Sequence, residues 1–330
     1  KNTTMSRAYQ AAIVIATALL ASALYLSLYF STAINKENLK ENSYLSGGAA
    51  EINADPNNYA MANKESQGFF TDISEHHWRM MKDRVRQQEK PHCTDSLRGC
   101  PETADTAASG QAQAHVWYYE NYYPNFNCPH ERRVGGGGDG PKWVCDVHRI
   151  TQKASDCLIY SVGSNGDFNF EISVFEEIHP ECEVHTFDPE IRGGNFGEKA
   201  PANVHYHAWG FEDEATAARL NAYGKRGKYK TMKQTIEELG HVGKVIDLFK
   251  IDCEGCEWST YKEWFEADVT LRQILVETHK VPKEADDFFE NVLQKEGYVL
   301  FHKEPNVKYS RGKGLCVEWA FLKMDPTFFI

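Results

Sequence analysis

From Asp156 onward the chain repeats one alternation, which leaves few folds open. Short apolar runs at 158–162, 184–187, 204–207, 245–251 and 273–277 are separated by helical stretches at 170–177, 212–223, 231–239, 257–265 and 286–295. Apolar runs of this length, set between helices, read as strands buried on both faces. Strands that alternate with helices connect by right-handed crossovers, giving a parallel sheet with helices on both sides. Two more strand-like runs, 298–302 and 316–322, follow with no helical stretch between them, which predicts an antiparallel pair at the end of the sheet. The fold class is therefore α/β, mostly parallel, closed by an antiparallel C-terminal pair.

The first third of the chain is built differently. Ala11 to Phe30 runs for twenty residues without a charge or a proline. As a helix rising about 1.5 Å per residue it reaches roughly 30 Å, the thickness of a bilayer's hydrocarbon core. Tyr25 and Tyr29 sit towards its far end, as interfacial aromatics do. Lys1 and Arg7 precede it unopposed, whereas Lys36, Glu37, Lys40 and Glu41 cancel after it. The positive-inside bias then keeps the N-terminus cytoplasmic and sends the bulk across. The expectation is a type II signal anchor: cytoplasmic tail 1–10, transmembrane helix 11–31, and the remainder in the lumen of the Golgi or ER, or extracellular. Residues 32–115 read as a stem with one amphipathic helix near 69–90, carried by Phe70, Ile73, Trp78, Met81 and Val85. The globular domain is assigned to 116–330.

Nine cysteines suit an exported domain, with Cys93–Cys100 and Cys128–Cys145 as local pairs. Cys253 and Cys256 form a C-x-x-C with no second pair to complete a zinc site, so neither metal nor redox chemistry is assigned there; a divalent metal held by Asp252 with a neighbouring carboxylate or His279 is a minor variant, and no residue is assigned as a metal ligand. With 47 acidic against 36 basic residues the net charge is -11, which disfavours a nucleic-acid partner. The basic run at 225–230 reads as a solvated loop ahead of a helix. The glycine-rich turn at 135–140 lacks the Gly-Lys-Ser/Thr ending of a phosphate loop, and no strand is expected before it.

Doubly wound sheets bind ligands beyond the carboxyl ends of their strands, where strand order reverses. After the first strand comes Ser161-Val162-Gly163-Ser164-Asn165-Gly166-Asp167-Phe168, whose glycines let the backbone approach a cofactor. The second strand ends in Phe187-Asp188-Pro189-Glu190, placing an acid roughly 20 residues on, where a carboxylate can accept from both ribose hydroxyls of an adenosine-containing cofactor. The third leads to Trp209, a flank for adenine. The fourth, Leu248-Phe249-Lys250-Ile251-Asp252-Cys253-Glu254-Gly255-Cys256-Glu257-Trp258, brings Asp252 and Glu254 to the mouth of the sheet. Acids at a strand end are costly without partners, which favours a functional reading. The fifth strand adds His279 to the same rim, and His302 is a weaker candidate on the sixth.

These motifs, with Lys142-Trp143-Val144-Cys145-Asp146 and Ile159-Tyr160-Ser161-Val162-Gly163, resemble those of the methyltransferase-like proteins with a single methyltransferase domain, and more distantly FkbM-type methyltransferases. The resemblance covers roughly residues 116–325 and is most specific at the Lys-Ile-Asp-x-Glu-Gly-x-Glu string. It implies the Rossmann-like class I methyltransferase sheet and S-adenosyl-L-methionine as donor. It carries Asp188 over as the ribose-binding acid, and the strand-end residues Ser161, Gly163, Asn165, Gly166, Trp209 and Asp252 complete the expected cofactor site. Ser161 stands where many relatives of this fold carry an acid, and Asp167 where a later glycine is usual. Asp252 or His279 is the natural base for a hydroxyl acceptor, with Glu254 beside them. FkbM-type chemistry suggests O-methylation of a small molecule or glycan. A nicotinamide-dependent oxidoreductase and a non-catalytic binding module of the same fold remain as alternatives, and oligomeric state is not set by the sequence.

Overall fold

The computed structural model describes residues 57–87, 117–118, 121–191, 193–223, 227–280, 282–306 and 316–330. The expected signal anchor, and the Cys93–Cys100 pair, lie outside the described residues. Among the described residues no helix is long and apolar enough to cross a membrane.

Strands β1 (Glu131–Val134) and β2 (Lys142–Cys145) form an antiparallel hairpin around the 135–140 turn, so a strand does precede those glycines. The main sheet holds β3 (Leu158–Val162), β4 (Glu183–Phe187), β5 (Val204–His207), β8 (Val245–Ile251), β9 (Thr270–His279), β10 (Tyr298–Pro305) and β11 (Cys316–Lys323). A separate parallel pair is β6 (Trp209–Phe211) with β7 (Lys228–Lys230), which makes the described part of the basic run a strand rather than a loop. Strand order across the large sheet is β10-β11-β9-β8-β3-β4-β5. All neighbours run parallel except β11, which is antiparallel to both β9 and β10. The chain leaves β3 towards β4 and β5, then returns to β8 and β9 on the other side. The reversal falls between β3 and β8.

One face of the sheet packs Tyr160, Val162, Phe249, Ile251, Ile274 and Phe321 under helices α6 (Met232–Leu239) and α9 (Ala285–Glu290). Trp117, Tyr118 and Tyr122 are buried on this face, and Tyr122 stacks on Phe289 with ring centroids 4.0 Å apart. The opposite face packs Ile159, Val184, Leu248, Leu275 and Val299. Against it lie α1 (Asn57–Glu65) and the amphipathic helix α2 (Glu75–Gln87), anchored by fully buried Phe70 and Trp78. Glu65 fixes that seat, accepting from Trp78 Nε1 at 2.5 Å and pairing with buried Lys82. Helix α6 has a complete capping box between Thr231 and Gln234 and ends on Gly240 at φ 70°. The helix expected at 257–265 is divided into Cys256–Thr260 and Glu263–Glu266, with Tyr261 and Lys262 between them still at helical backbone angles.

Candidate active site

The turn after β3 is held by its own backbone. Gly163 N donates to Phe187 O at 2.8 Å, and Asp252 N donates to Val162 O at 2.9 Å. A Cβ on Gly163, whose φ is 83°, would lie 1.8 Å from the Asp252 carbonyl oxygen. Only glycine lets the ends of β3 and β8 close at the reversal point. Asp188 seals the turn from the other side. Its Oδ2 accepts from Ser164 N at 3.1 Å and Asn165 N at 2.7 Å, and its Oδ1 accepts from Glu190 N at 2.8 Å.

Backbone strain gathers along the same rim. Asn165, Glu190, Glu254 and Lys280 all have positive φ, at 49°, 52°, 61° and 64°. One follows each of β3, β4, β8 and β9 within a few residues. Such positions cost about 1–3 kcal/mol each and concentrate where a fold is shaped for function rather than stability.

Beside the turn lies a cluster of charges organised by one lysine. Lys142, on β2, is 2% exposed and its Nζ sits 2.6 Å from Glu318, 3.2 Å from Asp252 and 3.9 Å from Glu277. The three acids come from β11, β8 and β9, so the hairpin inserts a cation where three strand ends converge. Burial works against the Asp252 carboxylate, but Lys142, Lys250 and His279 outweigh it and hold its pKa at about 2. Glu277 goes the other way. Burial and the charges of Asp252 and Glu318 push it to about 9 despite Lys142, so it carries a proton at neutral pH and shares it with Asp252. Asn306 Nδ2 also donates to Glu277 Oε1 at 2.9 Å. Two carboxylates this close, with opposite protonation, are the pattern that separates acid and base roles.

His279 completes the rim. Fully buried Glu257 accepts from its backbone N at 2.7 Å and lies 3.1 Å from Nδ1, while Nε2 points at Asp252 and Glu254, each 3.8 Å away. Burial lowers the imidazole pKa, but Glu257, Asp252 and Glu277 raise it to about 9. The resting His279 is thus an imidazolium, set beside the ionised Asp252. Glu254 is 79% exposed at its side chain and bonds nothing as firmly. Cys253 and Cys256, given no redox role from the sequence, are joined as a disulfide at the base of this mouth.

The structure therefore brings together Asp252, His279, Glu254 and the Gly163 turn. Ser161 lies inside the sheet rather than on the rim, fully buried. Trp209 packs on Phe187 and His207, whose carbonyls accept from Gly163 N and Asp188 N; its Nε1 donates to Thr235 at 3.3 Å and Lys230 Nζ caps its ring at 3.6 Å. His302 stacks on Trp143 and pairs with Glu131, away from the mouth. Sequence reasoning missed Lys142, Glu277, Glu318 and the ion-pairing role of Glu257. Lys142 belonged to a quoted motif but lay before the alternating region, and nothing local tied it to Asp252.

A family profile described as "Methyltransferase domain" matches residues 60–323. The chain belongs to this methyltransferase-domain family. The match takes in the helices α1 and α2 as well as the sheet, and it replaces the nicotinamide-dependent alternative. Two curated relatives, each named "Probable methyltransferase-like protein 24", are similar over a shorter stretch. The Homo sapiens protein is 27% identical over 136 residues, covering 40% of this chain and 35% of its own length. The Rattus norvegicus protein is 29% identical over 137 residues, with the same 40% and 35% coverage. The match thus spans about a third of either relative. Among solved structures, P. horikoshii TYW2 in complex with MeSAdo aligns at TM-score 0.29 and 11% identity over 54% of this chain and 61% of its own.

Family membership supports S-adenosylmethionine as the cofactor, and the methyltransferase turn has polar capacity to spare for it. The buried Ser161 Oγ, which has no hydrogen-bond partner among the described residues, lies inside the sheet and does not add to that capacity. Asp188 uses three of the roughly four acceptor positions of a carboxylate on backbone amides. One position remains, so a ribose would meet Asp188 through a single hydroxyl unless the turn loosens.

Proposed function

We propose that the domain transfers a methyl group from S-adenosylmethionine to a hydroxyl of a small molecule or glycan. The observation that carries this reading is the adjacency of Asp252 to the Gly163 turn: an ionised carboxylate whose own backbone closes the cofactor turn. The bound donor supplies an electrophilic methyl group on a sulfonium. The protein's part is alignment and a modest contribution from proton transfer. Asp188, itself held by the amides of Ser164 and Asn165, would meet the adenosine end through its remaining acceptor position. Asp252 accepts the hydrogen bond of the acceptor hydroxyl and aims its oxygen. With a pKa near 2 it is a weak base, so orientation is its larger role. The imidazolium of His279 and the ammonium of Lys142 keep Asp252 ionised as the acceptor approaches. The proton released by the hydroxyl as it is methylated would pass to the Asp252 carboxylate, since Glu277 and His279 already carry theirs.

In the same proposal the domain faces the lumen of the Golgi or ER, or the cell exterior, behind a type II anchor at 11–31. Three cysteine pairs support an oxidising compartment: Cys128–Cys145, Cys157–Cys182 and Cys253–Cys256. The test is a radiolabelled methyl-transfer assay with the full chain on separated glycan, small-molecule and protein fractions. Label is expected in a hydroxylated small-molecule or glycan fraction, and Asp252→Asn should cut it by about 100-fold. Label confined to the protein fraction would overturn the acceptor class. A folded chain that binds S-adenosylhomocysteine but labels nothing would favour the binding-module reading.

A further inference from the structure

A second polar cluster lies away from the methyl-transfer mouth. β4 begins at Glu183, places His185 two residues later on the face under α6, and ends at Phe187 beside Asp188. His241 follows the Gly240 cap of α6 and meets the start of β4 from above. Glu183 Oε1 lies 2.9 Å from His185 Nε2 and 3.1 Å from His241 Nε2, and the three residues can each offer one ligand atom within 4.8 Å of the others. Both imidazoles are buried, whereas Glu183 is half-buried and reaches solvent.

We infer that Glu183, His185 and His241 form a binding site for a divalent transition metal of the zinc class, separate from the methyltransferase centre. Zinc binds imidazole nitrogen at about 2.0–2.1 Å and carboxylate oxygen at about 2.0–2.2 Å, which sets tetrahedral donor–donor edges of roughly 3.3 Å. The two Glu183–His edges are already within a few tenths of an ångström of that. Two imidazoles and one carboxylate are the borderline N/O set that favours such ions over calcium or magnesium. Three protein ligands with a solvent-reaching edge leave the fourth position to water.

The surroundings fit both the free and the loaded state. His185 Nδ1 lies 2.8 Å from His207 Nε2, and His241 Nδ1 lies 2.6 Å from the Tyr160 hydroxyl. Without metal, each ring donates from Nε2 to Glu183 and accepts at Nδ1. With metal, each Nε2 is freed for coordination and Nδ1 donates outward, since the His207 ring and the Tyr160 hydroxyl can each accept as well as donate. An outer partner on the second ring nitrogen is what orients ligating histidines. Lys244 Nζ, 3.7 Å from Glu183 Oε2, and the His205 ring stacked on His185 at 4.8 Å complete the polar surroundings.

The test uses the full chain without a polyhistidine tag, stripped with chelator and titrated with Co²⁺ alone, then Zn²⁺. One equivalent of Co²⁺ should bind with visible ligand-field absorption and be displaced by Zn²⁺, and metal should raise the melting temperature. His185→Gln and His241→Gln should each weaken uptake at least 10-fold. Glu183→Gln is the sharper variant, because glutamine still accepts from both imidazole N–H groups. A cluster built only for hydrogen bonding would not notice that change, whereas a metal site should lose about 10-fold or more in affinity. Absence of uptake by the wild-type chain would overturn the inference. So would uptake that is unchanged in a Glu183→Gln variant with wild-type far-UV circular dichroism. S-adenosylhomocysteine binding should be the same in Glu183→Gln and wild type, so failure here leaves the methyltransferase reading to stand or fall separately.

Discussion

The glycine turn after β3 and the acid mouth of β8 touch each other, yet they are held together by different physics. At the turn, backbone amides and one carboxylate satisfy each other, and Gly163 is needed because there is no room for a Cβ. At the mouth, Asp252, Glu277 and Glu318 converge on a buried lysine, and their proton affinities are driven apart. A region built from backbone geometry should respond to added bulk. A region built from charges should respond to the removal of one charge and to pH.

The largest expected effect is therefore at Lys142. Lys142→Met keeps much of the side-chain volume but strands buried carboxylates, and should cost roughly 3–5 kcal/mol in urea denaturation at pH 7. A loss below about 1 kcal/mol would mean the carboxylates neutralise themselves and the lysine organises nothing. Next is Gly163→Ala, which forces a Cβ against the Asp252 carbonyl at a positive φ. It should cost roughly 1–3 kcal/mol and open the turn, abolishing S-adenosylhomocysteine binding. Retained binding would show that turn and mouth are not clamped.

A smaller effect separates the regions by pH. Glu277 and His279 both hold protons up to about 9 in the folded state, against ordinary values of 4.5 and 6.5. Both shifts are upward, so the folded state binds more protons than the unfolded one, and stability falls as pH rises from 7 to 9. Glu277→Gln should flatten that decline in thermal melts. Asp252, held down at about 2, acts in the opposite sense, and its contribution is lost only as pH falls below the usual carboxylate range. A wild-type profile flat from pH 7 to 9 would contradict the proposed charge pattern. The smallest effect belongs to Glu254→Gln. That side chain is 79% exposed, and the substitution should change stability by less than about 0.5 kcal/mol.

The same contrast explains what could be read from the sequence. The strands at 158–162, 204–207 and 245–251 stand where the apolar runs placed them, and the antiparallel ending followed from the missing helix before β11. Those features are local, or nearly so. Gly163, Asp188 and Asp252 were visible because strand ends mark the rim of such a sheet. Lys142 was not, because its partners Asp252 and Glu318 lie 110 and 176 residues away. The histidine cluster was missed for a related reason. His185 and His207 look like alternating strand residues, and only the return of the chain after α6 sets His241 against Glu183. The strand before the 135–140 turn was hidden because Glu131-Arg132-Arg133 carries no apolar pattern, being an edge of a two-stranded hairpin.

The most direct test of the central claim is calorimetric titration of S-adenosylhomocysteine into the full chain and into Asp188→Asn. One binding site is expected in the wild type, with an affinity at least 10-fold weaker in the variant, which loses the charge that fixes the turn. A folded wild-type chain that binds no S-adenosylhomocysteine, or an Asp188→Asn chain that binds it equally well, would contradict the account.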